Sequence, residues 1–554
     1  MESGQTRIKF FFQNLDTCVN MTTDVWSAPH GSPYSYLCVT AHWVEPESWL
    51  IMKRVISFED FPVPHTGVAL FKMLRKVFTK YHLQQKIFSI TLDNASNNIN
   101  SMSRLKMEFE PPLNGDFYHS RCVAHIINLV VQAGLNHPVM HQLKDCFIQM
   151  LHEIFKKGPK RYNAYVRLCT KAKKHWLSPN LDCDTRWNST YIMFLSAIRQ
   201  KVTLQYFHDQ LSQKGYVVPF NVEHWDTIER LTRLLEVFYN ATKKLSGVYY
   251  PTSHLVLEQL YYMCSSLSSF ELTGGVFSNM VIPMKEKLVK YFESLPPVIT
   301  CAAALNPCYN LCGVELLIES ISNDLGLTAD KVNFVEDAQR DFNNSFKGLW
   351  NYYFEKYGNP APSMDDGSSS SRSSHRGNPI QGLLQKLREN PNKKIRSDRL
   401  QNNEYTRYTG TDFISCIPAE QQVDFDVLAF WKSKETMFPV LSKMARDLFS
   451  VQATSVASES AFSTSGRVLS NRRTKLTLAS LEMCMCLKDH LDAIKRRQHK
   501  TSLEDPLEME GGVYEVEVQE GTCELLSDEE IREDEAAAEA RRSVDSESEE
   551  EIYE

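Results

Sequence analysis

No two cysteines in these 554 residues are spaced C-x-x-C, and no apolar run approaches the ~18–20 residues a membrane-spanning helix needs. The first absence removes the commonest zinc-ribbon and redox motifs; the second removes a transmembrane span. The 14 cysteines are scattered and make up about 2.5% of the chain, well short of a disulfide scaffold. They read as reduced thiols of a cytosolic or nuclear protein. The opening MESGQTRIKFFFQNLD has only Phe10, Phe11 and Phe12 as an apolar core, far shorter than the apolar stretch of a secretory leader. No solenoid-type repeat recurs along the sequence. Positive charge is short as well, since 61 Lys and Arg face 68 Asp and Glu. What is present is enough apolar material, 42% with 11% aromatic, to bury a large core. The length suggests three to four ordinary domains, at roughly 150 residues each.

The net charge of −7 is an average over two unlike parts. Residues 501–554 hold 21 acids against three Arg, a local charge of −18. The first 500 residues hold 58 Lys and Arg against 47 acids, or +11. Like-charge density and low apolar content predict a disordered acidic tail over 498–554. The basic body reopens the nucleic-acid reading that the whole-chain charge closes. Its clusters are Lys156-Lys157-Gly158-Pro159-Lys160-Arg161, Lys171 with Lys173-Lys174-His175, Lys393-Lys394 with Arg396, and Arg472-Arg473 with Lys475. Each suits phosphate, and each equally suits a solvated helix face.

Patterning predicts strands at 18–27, 34–44 and 49–58, rich in β-branched and aromatic residues and each followed by a proline-bearing turn. An amphipathic helix follows at about 66–82, then a strand at 86–93 and helices at 95–107 and 119–134. That order implies an α/β fold with a mixed sheet. Helical periodicity dominates from about 140 to 356. Residues 359–379, rich in Ser, Gly and Pro, read as a disordered linker. Helices return at 424–449, about 455–465 and 477–497. On the last, Leu478, Leu481, Met485, Leu487, Leu491 and Ile494 lie on or near one face.

Two carboxylates stand out. Asp24 interrupts the apolar first strand, and Asp93 ends the strand at 86–93. A buried Asp is costly unless it is paired or binds a cation, and two at neighbouring strand ends can share Mg²⁺, which takes oxygen ligands. Capping and turn chemistry explain Asp93-Asn94 equally well. Pattern alone does not say which acid would complete a two-metal site. Cys122 and His125, with His119 nearby, suggest zinc, but the next candidates, His137 and His141, lie beyond Gly134 and Pro138. No structural zinc is predicted.

The segment SVASESAFSTSGRVLSNRRTKLTLASLEMCMCLKDHL (455–491) resembles the C-terminal dimerisation segment of hAT-superfamily DNA transposases. TTDVWSAPHGSPYSYLCVTAHWVE (22–45), LDNASNNINSM (92–102), RCVAHIINLVVQ (121–132) and DTRWNSTYIM (184–193) follow that family's other blocks in its order. VEDAQRDFNNSFKGLWNYYFEKYG (335–358) is similar to the helical region of plant members, the RICESLEEPER group among them. The resemblance implies an RNase H-like mixed sheet interrupted by a large all-helical insertion, with C-terminal dimerisation helices. Its parts would be 1–138, the insertion at 139–423, and the remainder with the dimerisation region at 424–497.

The resemblance also implies a catalytic triad of Asp24, Asp93 and Glu459 holding Mg²⁺ or Mn²⁺, with Cys122 and His125 in the active-site neighbourhood. It makes Arg186 and Trp187 DNA-contacting, the Trp stacking on an extruded base. The bland reading of Trp187 is a core or cap residue, and that of Glu459 an exposed glutamate in a helix's first turn. Two departures stand beside the likeness. Asn306 replaces a family Asp before Pro307, and no BED-type zinc finger precedes Asp24, so the chain reads as N-terminally truncated. The expectation is a nuclear, transposase-derived DNA-binding protein that forms a homodimer or higher oligomer through about 425–497, regulatory or relic in role. It would have neither membrane nor small-molecule partner. The alternative is an active transposase cutting DNA by metal-dependent phosphoryl transfer.

Overall fold

The computed structural model describes residues 2–27, 35–62, 64–155, 159–171, 187–214, 220–358, 404–422, 425–461 and 478–496. The linker expected at 359–379 and the acidic tail from 498 lie outside the described residues. The chain divides into two compact units. The first draws on residues 1–124, 245–261 and 294–498, the second on 125–244, 262–293 and 499–554. The helical stretch expected as one insertion over 139–423 is therefore shared between them.

The first unit is built on a five-stranded mixed sheet of order β3-β2-β1-β4-β5. Its strands are β1 (Val19–Ser27), β2 (Ser35–Val44), β3 (Ile51–Asp60), β4 (Ile87–Leu92) and β5 (His119–Arg121). β1 and β3 pair antiparallel to β2, while β4 runs parallel to β1 and to β5. Every residue of β2 is buried, as expected of a strand flanked on both edges and covered on both faces. α1 (Glu2–Asn14), α2 (Gly67–Lys80) and α3 (Ser96–Phe109) cover one face. Their core with the sheet includes Phe12, Met21, Val39, Leu74, Phe78 and Leu105. α2 starts where the Thr66 hydroxyl accepts the Ala69 N–H at 3.2 Å, and it buries Leu70, Leu74, Val77 and Phe78 at helical spacing. Gly67 lets α2 close on α3: a Cβ there would sit 2.6 Å from the Asn97 carbonyl oxygen.

Two elements differ from the sequence expectation. α1 was not expected, and it holds because Phe12 packs edge-on against Trp43 and Tyr81. The start of the helix expected at 119–134 is instead β5, and α4 (Val123–Leu135) begins after it. Strand pairing with β4, not local pattern, fixes those three residues.

α4 carries the chain into the second unit, an all-helical body. It contains α5 (Pro138–Phe155), α6 (Pro159–Lys171), α7 (Trp187–Arg199), α8 (Lys201–Gln213), α9 (Val222–Leu245), part of α10 (Val256–Leu272) and α11 (Gly275–Phe292). Phe147, Phe194, Phe220 and Trp225 interlock edge-to-face in its core. The first unit then continues through α12 (Pro297–Ala304), α13 (Asn310–Asp324), α14 (Leu327–Asp330), α15 (Phe334–Tyr357), α16 (Glu404–Thr409), α17 (Ala419–Gln422), α18 (Val427–Lys434), α19 (Pro439–Phe449) and α20 (Leu478–Ile494). Tyr353 in α15 donates to the buried Asp447 of α19 at 2.5 Å, and Trp431 donates to the Leu305 carbonyl at 2.8 Å.

α20 packs on the opposite sheet face, with Leu481 and Met485 buried against Tyr36, Cys38, Val55 and Phe58. Leu487, Leu491 and Ile494, expected on the same face, are 56%, 54% and 63% exposed. Asp489 pins the inner face, accepting Lys53 Nζ at 2.5 Å and the Val55 N–H at 2.8 Å. Burial draws the Lys53 pKa down, but Asp489 outweighs it, and the ammonium is held above its ordinary value. Removing one member of a buried pair strands the other charge, at about 3–5 kcal/mol. Asp489→Ala is therefore expected to lose that much stability in urea titration. Lys53→Met combined with Asp489→Leu should recover most of it.

Candidate active site

Register places the first two carboxylates side by side. Thr22 of β1 pairs with Thr91 of the parallel β4, and two residues beyond that pair the chain reaches Asp24 on one side and Asp93, just past the end of β4, on the other. Asp24 is paired with Cys38 of β2, so it points to the α20 side of the sheet.

The third carboxylate arrives from the far end of the chain. Residues 447–461 return across that face: Asp447 Oδ1 accepts the Cys18 N–H at 2.9 Å, and the Gln452 carbonyl accepts the Thr91 hydroxyl at 2.8 Å. The Ala453 carbonyl accepts the Val123 N–H at 2.9 Å. Ser458 then lies 3.1 Å from the Thr22 hydroxyl and 3.3 Å from that of Thr40. Thr22 also meets His42 Nε2 at 3.1 Å, and burial lowers the His42 pKa to about 3, so this ring is neutral. The helical turn at 456–461 thereby carries Glu459 to the neighbourhood of Asp24.

Electrostatics confirm the proximity. The Asp24 carboxyl is pushed well above the ordinary carboxylate range, first by burial and then by the charge of Glu459, with Asp93 adding to the rise. The Val25 N–H, bonding Asp24 Oδ1 at 2.8 Å, opposes it. Among the described residues, no cation acts on Asp24. Asp93 is held by its own turn: Oδ1 accepts the Ala95 N–H at 2.9 Å and the Asn98 side-chain amide. Asp24 and Asp93 line a cavity of about 170 Å³ with Thr23, His65, Asn97 and Asn98.

Carboxylate oxygens are the donors that a hard cation such as Mg²⁺ or Mn²⁺ takes, and two of the three carboxylates, Asp24 and Asp93, line that cavity. Among the described residues, though, no group of three or more His, Cys, Asp or Glu side chains converges tightly enough to hold a metal ion. Glu459 and Asp93 both act on Asp24, without the three closing on a common point.

The other candidates fall elsewhere. Cys122 is buried, and its sulfur takes Ser455 rather than facing a ligand. His125, half-buried, begins the second unit. Trp187 opens α7 there and is 3% exposed, the core reading of the two. Arg186 lies outside the described residues. Of the basic clusters, Arg161 is fully buried and donates to Glu153 Oε2 at 3.1 Å, which removes it from phosphate contact. Ser455, Ser458, Thr22 and Thr40 are site residues that sequence reasoning missed. Their only sequence signal is polarity inside otherwise apolar strands and just ahead of Glu459.

Comparison with known proteins gives matching segments. Residues 22–116 match the ZBED1 RNase-like domain, 120–234 the ZBED1 RNase-like helical domain, and 409–491 the hAT family C-terminal dimerisation region. The chain is similar to the putative AC transposase of Zea mays, 26% identical over 499 residues that cover 87% of this chain and 58% of that protein. It is also similar to the zinc finger BED domain-containing protein RICESLEEPER 2 of Oryza sativa subsp. japonica, 26% identical over 87% of this chain and 66% of that one. DAYSLEEPER of Arabidopsis thaliana is 22% identical over 85% and 63%. The chain thus spans about three-fifths of the length of these relatives.

An acid whose pKa is higher folded than unfolded binds more protons when folded, so it withdraws stability as pH rises through that interval. Asp24→Asn should therefore resist urea better than the parent chain at neutral pH without metal. The advantage should shrink by about pH 5, nearer the ordinary carboxylate range. Urea midpoints at the two pH values check this, and an advantage that does not change with pH would contradict it.

Proposed function

Because the chain belongs to the hAT superfamily of transposase-derived proteins, we propose that it is a nuclear DNA-binding protein that self-associates through its C-terminal region. Its acidic centre would cut DNA strands by metal-dependent phosphoryl transfer. The observation that carries this reading is the state of Asp24, a half-buried carboxylate on which the charges of two other acids act, with no cation acting on it among the described residues. Such an arrangement is costly for the fold alone and is relieved by a bound divalent ion. Asp24, Asp93 and Glu459 would be the residues to hold Mg²⁺ or Mn²⁺, and a bound ion would supply activation of the attacking oxygen and charge neutralisation at the leaving one. The Asp93 turn and the 456–461 turn fix two of the ligands before substrate arrives. The +11 body supplies the attraction for the DNA backbone.

The regulatory or relic reading rests on a different observation, the failure of the three carboxylates to converge. The two separate on one assay, nicking of a terminal-repeat duplex by the purified chain with Mg²⁺ or Mn²⁺. Cleavage that needs metal and disappears in Asp93→Asn is expected. Binding without cleavage at any metal concentration would leave the regulatory reading.

Self-association has its own surface. Met483, Leu487, Leu491 and Ile494 recur every three or four residues on the outer side of α20, 43–63% exposed, within the matched dimerisation region or just past it. Replacing Leu487 and Leu491 together with Lys should convert a dimer at micromolar concentration into a monomer by light scattering. The thermal midpoint should stay nearly unchanged, because Leu481 and Met485 still fill the core.

A further inference from the structure

The carboxylates do not account for one polar chain that ends on Glu459. Ser455 is buried, and its N–H donates to Cys122 Sγ at 3.3 Å. Its hydroxyl lies 3.4 Å from the same sulfur and 3.2 Å from Glu459 Oε1. A serine hydroxyl has one proton, and a carboxylate accepts it far better than a thiol does. The consistent direction is therefore Cys122 S–H to Ser455 Oγ, and Ser455 O–H to Glu459 Oε1. The Ser455 carbonyl also accepts the backbone N–H groups of Ser458 at 2.8 Å and Glu459 at 3.1 Å, so this one residue starts the turn and orients its acid.

Cys122 ties that turn to the other carboxylate. Its backbone N–H donates to the Leu92 carbonyl at 2.7 Å, one residue before Asp93, and the next N–H, Val123, reaches Ala453. Cys122 thus bonds through its backbone to the strand end carrying Asp93 and through its sulfur to the cap of the turn carrying Glu459. Both sit in the first unit.

We propose that Cys122 and Ser455 are positioning residues that together set the separation and orientation of Glu459 relative to Asp93. The proposal rests on the acidic-centre reading for its consequence in metal binding, and on the hydrogen-bond chain alone for its consequence in the protein. Groups bonded to a metal ligand commonly change metal affinity by tenfold or more when lost. Ser455→Thr keeps the hydroxyl; Ser455→Ala removes it.

The full-length chain is tested in two ways. In the metal-free protein, alkylation of Cys122 followed by peptide mass spectrometry reads the chain directly. Glu459→Gln weakens the acceptor, so Cys122 should react severalfold faster; Ser455→Ala should do the same, and the two together no more than either alone. Ser455→Thr should react like the parent. Titration with Mn²⁺ alone reads the consequence: about tenfold weaker binding in Ser455→Ala, with Ser455→Thr near the parent. An unchanged Cys122 rate in Ser455→Ala, or additive rates in the double variant, would overturn the proposal whatever the metal result. A parent chain that binds no Mn²⁺ while the rates stay coupled would overturn the acidic-centre reading and leave the positioning chain standing. Far-ultraviolet circular dichroism of each variant separates these outcomes from unfolding.

Discussion

The acidic centre depends on one long-range closure, the return of residues 447–461 onto strands formed near the start of the chain. Glu459 lies 366 residues after Asp93, and everything between must be looped out before the two meet. Loop-closure entropy grows only logarithmically, so an eightfold longer loop costs about 2 kcal/mol more. A succession of specific contacts offsets that cost. Asp447 takes the Cys18 N–H and the Tyr353 hydroxyl, Asn20 reaches the Asp447 carbonyl, Thr91 reaches Gln452, and Ser458 reaches Thr22 and Thr40. These groups are largely buried, so each bond also prevents the penalty of an unpaired polar atom. Closure through polar residues fixes a register that an apolar seam would leave free to slide.

That register explains why a carboxylate with a displaced pKa survives in the sheet. Asp24 lies on the face where β1 and β2 present Thr22, Thr40 and His42, while the opposite face is packed by apolar helices. The centre is thus a polar seam in an otherwise dry layer, and the low dielectric there enlarges the mutual repulsion of the acids. Burial and the two neighbouring acids both disfavour the charged form of Asp24. The surrounding bonds hold it in place at the cost of stability, a balance expected of binding sites rather than of structural cores.

Much of the first unit was legible in the sequence because its elements are locally determined. β1, β2, β3, α2 and β4 follow the β-branched and helical patterns nearly to their observed ends. β5 was not legible: His119, Ser120 and Arg121 have no strand pattern and are extended only because β4 offers them a partner. α1 escaped notice because one buried ring, Phe12, anchors it. On α20 the apolar positions looked like one face, but the helix carries two, and burial against β3 divides them. At the site, Asp24 and Asp93 announced themselves as acids in buried strands, whereas Glu459 was reachable only through family likeness. Family likeness put Cys122 near the site, but its contact with Ser455, 333 residues away, had no sequence signal.

The two faces of α20 differ in what they meet. Its inner face is fixed to β3 by Leu481, Met485 and the buried Lys53–Asp489 pair, and Arg496 just beyond it donates to the carbonyls of Ile51 and Tyr249. β3 is hydrogen-bonded to β2, and β2 to β1 at the Asp24–Cys38 pair. Only two strand pairings therefore separate the helix with the exposed apolar outer face from the strand that carries Asp24. Close-packed layers transmit displacement rather than absorb it. The exposed outer face of α20 and the strand that carries Asp24 therefore rest on one packed sheet.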